Sequence, residues 1–232
     1  MALIPASFVS RPNRFIVRAA LRDGTTVEAH LADPGRLVEL LVPAARLRLR
    51  PAPESSARRT RFSVALVRAA APPRPWVSVE THRANRLAEE LLSRGEVRGV
   101  GRGWRLEREV DEGESRFDFL LHGSPRGRLW VEVKSVTLVE SGVGRFPDAP
   151  TGRGRRHLRG LTRLVARGDR ALVLFVAQRG DVERVTAHRG IDPAFADALA
   201  AARDAGVMLR AVRFRLEASG RAHDLGPVPV RP

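Results

Sequence analysis

With 232 residues, 43% of them hydrophobic, the chain can build one large domain or two small ones. Forty-one basic against 26 acidic side chains leave a formal charge of +15 and a pI of about 11.7, a surface that draws polyanions, nucleic acid first. Zero cysteines exclude disulfides and thiolate zinc sites, no apolar run or basic amphipathic helix points to a membrane, and MALIPASFVSR does not read as a signal peptide, so a cytoplasmic location is expected.

The amino-terminal third reads as β-rich. Arg14–Leu21 alternates, Asp23-Gly24 is a hairpin turn signal, and Thr25–Leu31 alternates back. Pro34-Gly35 breaks the chain before a short helical turn at Leu37–Leu41. Ala45–Arg50 is a third strand, with arginines at alternate positions 46, 48 and 50. After a polar loop, Pro51–Thr60, come two more strands, Phe62–Val67 and Trp76–Glu80, separated by the proline-rich Ala69–Pro75. Five short strands and a small helix suit a compact barrel. Phe8, Phe15, Phe62 and Trp76 read as core rather than as stacking platforms for bases.

Asn85–Gly95 predicts a helix, with Leu87, Ala88, Leu91 and Leu92 as its apolar stripe, Asn85 as a cap and Gly95 as its stop. The glycine-rich stretch Gly99–Gly103 lacks the spacing of a dinucleotide site and reads as a loop. Trp104–Val110 predicts a strand entering a hairpin of Arg116–His122 and Arg128–Ser135, turned by Ser124, Pro125 and Gly127. Alternation places Phe117, Phe119 and Leu121 on one face with Asp118 on the other, and groups Trp130, Glu132 and Lys134.

A five-residue loop pairing His122 with Arg128 sets Asp118 opposite Glu132. Like charges facing each other cost roughly 0.2–1 kcal/mol, so something positive belongs between them. Lys134 is one candidate, and it is the single lysine among the 41 basic residues. An ammonium is a compact point charge suited to orienting a water; a guanidinium is not. The other candidate is a cation: two carboxylates and a strand carbonyl suit Mg²⁺. The plainer alternative is a surface ion pair of Glu132 with Lys134 that contributes little.

Val136–Glu140 is expected to extend the sheet, and Pro147 and Pro150 stop regular structure. A helix then starts at Thr151 or Gly152 and runs toward Arg167. Arg153, Arg155, Arg156 and His157 crowd its first turn, where basic charge opposes the helix dipole. Phosphate binding is the natural compensation. Ala171–Ala177 predicts a fully buried strand, Asp192-Pro193 a helix start and Gly206 its stop. Val207–Leu216 returns as a strand, implying an α/β crossover, and the tail from Ala218 reads as a turn with an irregular end.

SRFDFLL, VEVKSVTLVE and GRFPDAPTGRGRRHLRGL, with RPNRFIVR and AHLADPGRL near the amino terminus, resemble the sugar fermentation stimulation protein A family over nearly the whole chain. Asp118…Glu132-x-Lys134 resembles the Asp…Glu-x-Lys signature of restriction-endonuclease-like nucleases. The resemblance implies an OB-like five-stranded barrel over residues 1–81, followed by a restriction-endonuclease-like mixed-sheet α/β domain over 82–232. It implies DNA binding, with RNA as a second polyanion to test, and metal-dependent phosphodiester hydrolysis of little sequence preference. Mg²⁺ or Mn²⁺ would be held by Asp118, Glu132 and the Val133 carbonyl. Nucleases of this type carry a first-helix glutamate near the metal; Asn85, Glu89 and Glu90 are the positions available, and Glu90 joins Asp118, Glu132 and Lys134 in the expected catalytic set. Thr151, Arg153, Arg155, Arg156, His157 and Arg116 form the expected nucleic-acid contact. Two rivals remain: a non-catalytic DNA-binding regulator of sugar-metabolism genes, and a single-strand binder acting through the barrel. Asp33 stands where the family leads us to expect asparagine.

Overall fold

The computed structural model describes residues 2–53, 55, 58–125 and 127–232. Of the polar loop expected at Pro51–Thr60, Glu54, Ser56 and Ala57 lie outside the described residues, as does Arg126 in the hairpin turn. Two compact units emerge: Met1–Arg83 with Gln178–Asp181 and Phe214–Leu225, and Ala84–Ala177 with Val182–Arg213 and Gly226–Pro232.

The first unit holds β1 (Ile4–Asn13), β2 (Ile16–Leu21), β3 (Thr26–His30), β4 (Arg46–Pro51) and β5 (Phe62–Arg68). β1 pairs antiparallel with β2 and β4, β2 with β3, and β4 with β5; the parallel pair β3–β5 closes the ring. This is a five-stranded barrel. Its interior takes alternate residues Val17 and Ala19 of β2 and Leu47 and Leu49 of β4, and a register shift against β4 sets Val67 and Val64 of β5 opposite Leu47 and Leu49, all at 0–1% exposure.

The membership of the barrel differs from the expectation. Ile4–Asn13 supplies a strand that the sequence does not advertise, because Pro5, Pro12 and shifts in register near Ser10 break its alternation. Residues 76–78, now β6 (Trp76–Ser78), pair with β5 but do not close the barrel. Phe8 and Trp76 are buried as expected. Phe15 is not core: it is 42% exposed, with the Arg14 guanidinium over its ring. Leu37–Leu41 forms a single turn, with the Leu41 amide donating to the Leu37 carbonyl and Leu37 and Leu40 buried. Asp33 acts locally. Its Oδ1 accepts from the Gly35 amide at 2.8 Å, shaping the turn.

α1 (Thr81–Arg94) begins four residues earlier than expected, so Asn85 lies inside the helix and does not cap it. Its end is the expected one. The Gly95 amide donates to the Leu92 carbonyl and the Glu96 amide to that of Leu91, a Schellman closure with Gly95 at φ 68°. An added Cβ at Gly95 would fall 2.8 Å from the Gly101 carbonyl carbon, so only glycine fits.

The second unit continues with β7 (Arg105–Glu112), β8 (Ser115–Ser124) and β9 (Gly127–Val136), then β10 (Leu138–Glu140), β11 (Val143–Phe146) and α2 (Gly152–Ala166). β12 (Arg170–Ala177), β13 (Arg184–Ala187), α3 (Pro193–Asp204), β14 (Met208–Leu216), β15 (Ala222–Val228) and β16 (Val230–Arg231) complete the chain. β7, β8 and β9 form an antiparallel meander, and β9, β12 and β14 run parallel, giving a mixed sheet. The parallel neighbours β12 and β14 are the strands expected to flank a crossover through α3. Residues 138–140 do not extend this sheet: β10 joins β11, β13 and β16 in a second, smaller one. The tail beyond Ala218 is likewise ordered as β15 and β16.

Two glycines let α2 approach its neighbours. A Cβ at Gly160 would meet Phe117 Cζ at 2.9 Å, and one at Gly154 would meet Phe195 Cε2 at 3.1 Å. The core beneath α2 includes Phe117, Trp130, Leu158, Leu161, Val173, Phe175, Phe195 and Leu199.

Candidate active site

The β8–β9 register is Phe119↔Val131, Leu120↔Trp130 and Leu121↔Leu129, and past its last rung Asp118 lies near enough to Glu132 to feel its charge. The hairpin end differs from the expected loop: the strands shift between Leu121 and Ser124, and pairing resumes at Ser124↔Gly127. The ladder ends at Phe119–Val131, and the carboxylate of Asp118 takes over. Its Oδ2 accepts from the Val133 amide at 2.7 Å. In a strand, the N–H and C=O of one residue point to the same side, so the Val133 carbonyl also faces Asp118's strand, beyond the last rung. Alternation breaks here as well. Phe117 packs edge-on against Trp130 at 5.6 Å and against His157 at 5.7 Å, so it lies on the Trp130 side rather than with Phe119 and Leu121. Glu109, across from Asp118 on β7, has φ 54°, a local distortion matching that break.

Asn85 Nδ2 donates to Asp118 Oδ1 at 2.7 Å. Of the three first-helix candidates, Asn85 is the one that reaches the acid. Glu90 is exposed and faces Arg94 at 3.9 Å, and Glu89 is taken by Arg108 at 2.6 Å. Glu90 therefore leaves the expected catalytic set.

Glu132 and Lys134 are both buried, at 3% and 9% exposure, and Lys134 Nζ donates to Glu132 Oε1 at 2.5 Å. A surface ion pair is thereby excluded. The same oxygen is flanked by His157 Nδ1, which rests against it without hydrogen-bond alignment. Burial pushes the Glu132 pKa up, but the Lys134 charge and His157 outweigh it and the net shift is downward. Asp118 goes the other way. Burial, and then the Glu132 charge, push its pKa to about 6 despite the Val133 and Asn85 hydrogen bonds. Glu132 Oε2 is buried and has no hydrogen-bond partner.

His157, expected at a phosphate contact, is 2% exposed and belongs to the acid cluster, its Nε2 accepting from Arg153 Nε at 3.3 Å. The sequence carries a signal for this: His157 shares the helical stripe of Leu161 and Leu164, both buried. Arg155 is also reassigned. Its Nη1 donates to both oxygens of the buried Asp192 at 2.8 and 3.0 Å. Asp192 also accepts from the Thr151 and Phe195 amides, at 2.8 and 2.9 Å, and so ties the start of α2 to that of α3. Thr151 caps α2 through its hydroxyl oxygen, which accepts from the Gly154 amide at 3.0 Å. Arg116 is engaged by Glu109 at 3.2 Å. On α2's first turn Arg153 is exposed and Arg156 half-buried, and Arg156 has no acid partner among the described residues.

The donor set fits a hard divalent cation. Two carboxylates repel each other in a buried site, and one oxygen of Glu132 lacks a donor. Among the described residues no group of three or more His, Asp or Glu side chains is arranged to hold a metal. A hexacoordinate ion that keeps several waters needs only one or two carboxylates.

Residues 9–79 match the family model "SfsA N-terminal OB domain" and residues 82–220 match "Sugar fermentation stimulation protein RE domain". A sugar fermentation stimulation protein homolog of Moorella thermoacetica is 44% identical over 216 residues, 93% of this chain and 91% of the relative. One from Desulforamulus reducens is 40% identical over 210 residues, 90% of this chain and 85% of the relative. The structure of Pyrococcus furiosus SfsA in complex with Ca²⁺ matches with a TM-score of 0.90 at 28% identity, covering 100% of this chain and 98% of that one. An OB barrel of five strands and a mixed-sheet domain carrying Asp118, Glu132 and Lys134 thus make this chain a member of the sugar fermentation stimulation protein family.

Proposed function

We propose that the chain is a divalent-metal-dependent phosphodiester hydrolase acting on DNA with little sequence preference. The observation that carries this reading is Glu132: a carboxylate at 3% exposure, with one oxygen on Lys134 and the other without a partner, beside an Asp118 that resists ionising. Pyrococcus furiosus SfsA is in complex with Ca²⁺, another hard ion with a preference for oxygen, and this supports a divalent cation as a ligand of this chain.

Asp118, Glu132 and the Val133 carbonyl would hold Mg²⁺ or Mn²⁺. Such an ion, when bound, polarises a phosphate oxygen and makes a water acidic enough to attack phosphorus. The remaining work falls to the chain. Asn85 fixes the Asp118 carboxylate through Oδ1. Lys134 spends one donor on Glu132 and keeps two for a phosphate oxygen and the attacking water. His157, whose Nε2 accepts from Arg153, packs its Nδ1 edge against Glu132 Oε1 and limits where that carboxylate can swing. Arg153, exposed, and Arg156, half-buried, would take phosphates, which position a strand without reading its sequence.

The test is a Mg²⁺ titration of purified protein with plasmid, single-stranded DNA and RNA. We expect Mg²⁺-dependent cleavage of DNA that Asp118→Ala and Lys134→Ala each abolish while DNA binding persists. Cleavage that survives both substitutions removes this site. Binding by the wild type without cleavage under any divalent ion would leave a non-catalytic DNA-binding protein.

A further inference from the structure

The barrel carries a cluster of arginines that the acid site does not use. On β4, Arg46, Arg48 and Arg50 face outward in turn. Arg50 is bound by Glu80 through two hydrogen bonds of 2.8 and 3.0 Å. Arg46 and Arg48 have no acid partner among the described residues, and Arg48 Nε is buried without any hydrogen-bond partner. Arg22, at the β2–β3 turn, is a third cation near enough to act on Arg48. Burial, then Arg46 and Arg22, hold the Arg48 pKa below its ordinary value, as expected of cations gathered without a counter-charge.

A pocket of about 160 Å³ lies among these side chains. Strand register explains it. Pro5 and Ser7 of β1 stand opposite Arg48 and Arg46, and Ala20 of β2 stands opposite Ser7. Short side chains on β1 and β2 beside long ones on β4 leave the space open. Trp76 completes the wall, with the guanidiniums of Arg48 and Arg68 at 5.2 and 5.3 Å from its ring. At 6% exposure Trp76 offers no face to a base; it anchors the Arg48 fork.

We propose that this pocket binds a phosphate group through Arg22, Arg46 and Arg48, and that the phosphate belongs to a nucleic-acid strand. Guanidinium forks take phosphate oxygens in pairs, and a partly desolvated cluster of like charges is stabilised most by an anion placed among them. The strand as the source rests on the DNA-binding reading above; phosphate as the chemistry does not. Residues 22, 46, 48 and 76 all belong to the barrel unit, so the site can be probed without touching Asp118, Glu132 or Lys134.

The full-length chain and its Arg46→Ala/Arg48→Ala and Arg22→Ala variants would be titrated, free of divalent ions, with a fluorescent thymidine oligonucleotide over a range of salt. The same proteins would be titrated with inorganic tripolyphosphate by calorimetry. Circular dichroism establishes that each variant is folded, and Arg22→Ala, at a turn, tests the pocket if the strand variant is not. We expect affinity for the oligonucleotide to fall about tenfold in the double variant, and the slope of log K against log salt to shrink by about 0.7 for each single-strand phosphate lost. Tripolyphosphate binding should be lost alongside. Tripolyphosphate binding that needs Arg46 and Arg48, with oligonucleotide affinity unchanged or absent in the wild type, overturns the strand as the source. Variants that match the wild type toward both ligands, or a wild type that binds neither, overturn the pocket.

Discussion

The Val133 amide donates to Asp118 Oδ2 at 2.7 Å, so a side chain of β8 occupies the place of the next ladder rung. That substitution holds the acid at the point where the two strands separate. It also keeps Asp118 within reach of the Glu132 charge, which Lys134 partly answers.

Asp118 gives the site a pH signature. Its pKa is 3.8 in an unstructured chain and about 6 in the folded one. A raised pKa means that the folded chain binds this proton more tightly. The stability it contributes is whole below about pH 4 and is lost as pH rises through about 6, a change of ~3 kcal/mol. Glu132 acts oppositely: its lowered pKa gives stability above its ordinary value that is lost as pH falls. A bound cation should relieve the Asp118 penalty. The shift in Tm on adding Mg²⁺ is therefore expected to grow from about pH 5 to about pH 7, as the acid ionises, and to vanish in Asp118→Asn. A shift that does not vary with pH over that window would take Asp118 out of the cation site.

Lys134 and Glu132 are a buried pair, and such pairs are asymmetric to break. Without divalent ions, Lys134→Ala leaves a buried carboxylate with only His157 beside it and should cost about 3–5 kcal/mol. Adding Glu132→Gln should recover most of that loss, because the stranded charge is gone. Urea denaturation of both single variants and the double variant measures the coupling; additive costs would show that the two side chains do not stabilise one another.

The arginines of α2 divide into two roles. Arg155→Ala removes one partner of the buried Asp192 and should cost about 1–3 kcal/mol of stability while leaving DNA affinity near that of the wild type. Arg156→Ala should do the reverse, lowering DNA affinity several-fold and shifting stability by no more than about 0.5 kcal/mol. Thermal unfolding and salt-dependent DNA binding on the same preparations separate the two; equal losses of affinity would return Arg155 to the nucleic-acid surface.

Gly160→Ala improves helix propensity by about 1 kcal/mol on an isolated helix. Here the added methyl would meet Phe117 Cζ at 2.9 Å. A net loss of about 1–3 kcal/mol is expected. Because Phe117 packs on His157, Mg²⁺-dependent cleavage should fall as well. Unchanged stability would mean that α2 shifts freely and does not clamp the site.

Most strands of the barrel and the β8–β9 hairpin with its register were legible in the residues, because strand pattern and register are local properties carried over a few residues. The mixed sheet came from the family resemblance, and the expected alternation breaks at Phe117, beside Asp118. The lone lysine in Glu132-x-Lys134 was equally legible. Packing between elements made Ile4–Asn13 the fifth strand of the barrel in place of residues 76–78, since an irregular strand takes its place from its neighbours. The same holds for Asn85 reaching Asp118 across 33 residues of chain and Arg155 meeting Asp192 across 37. A run of arginines looks uniform along the chain; which of them face solvent and which answer a buried acid depends on packing between elements far apart in sequence.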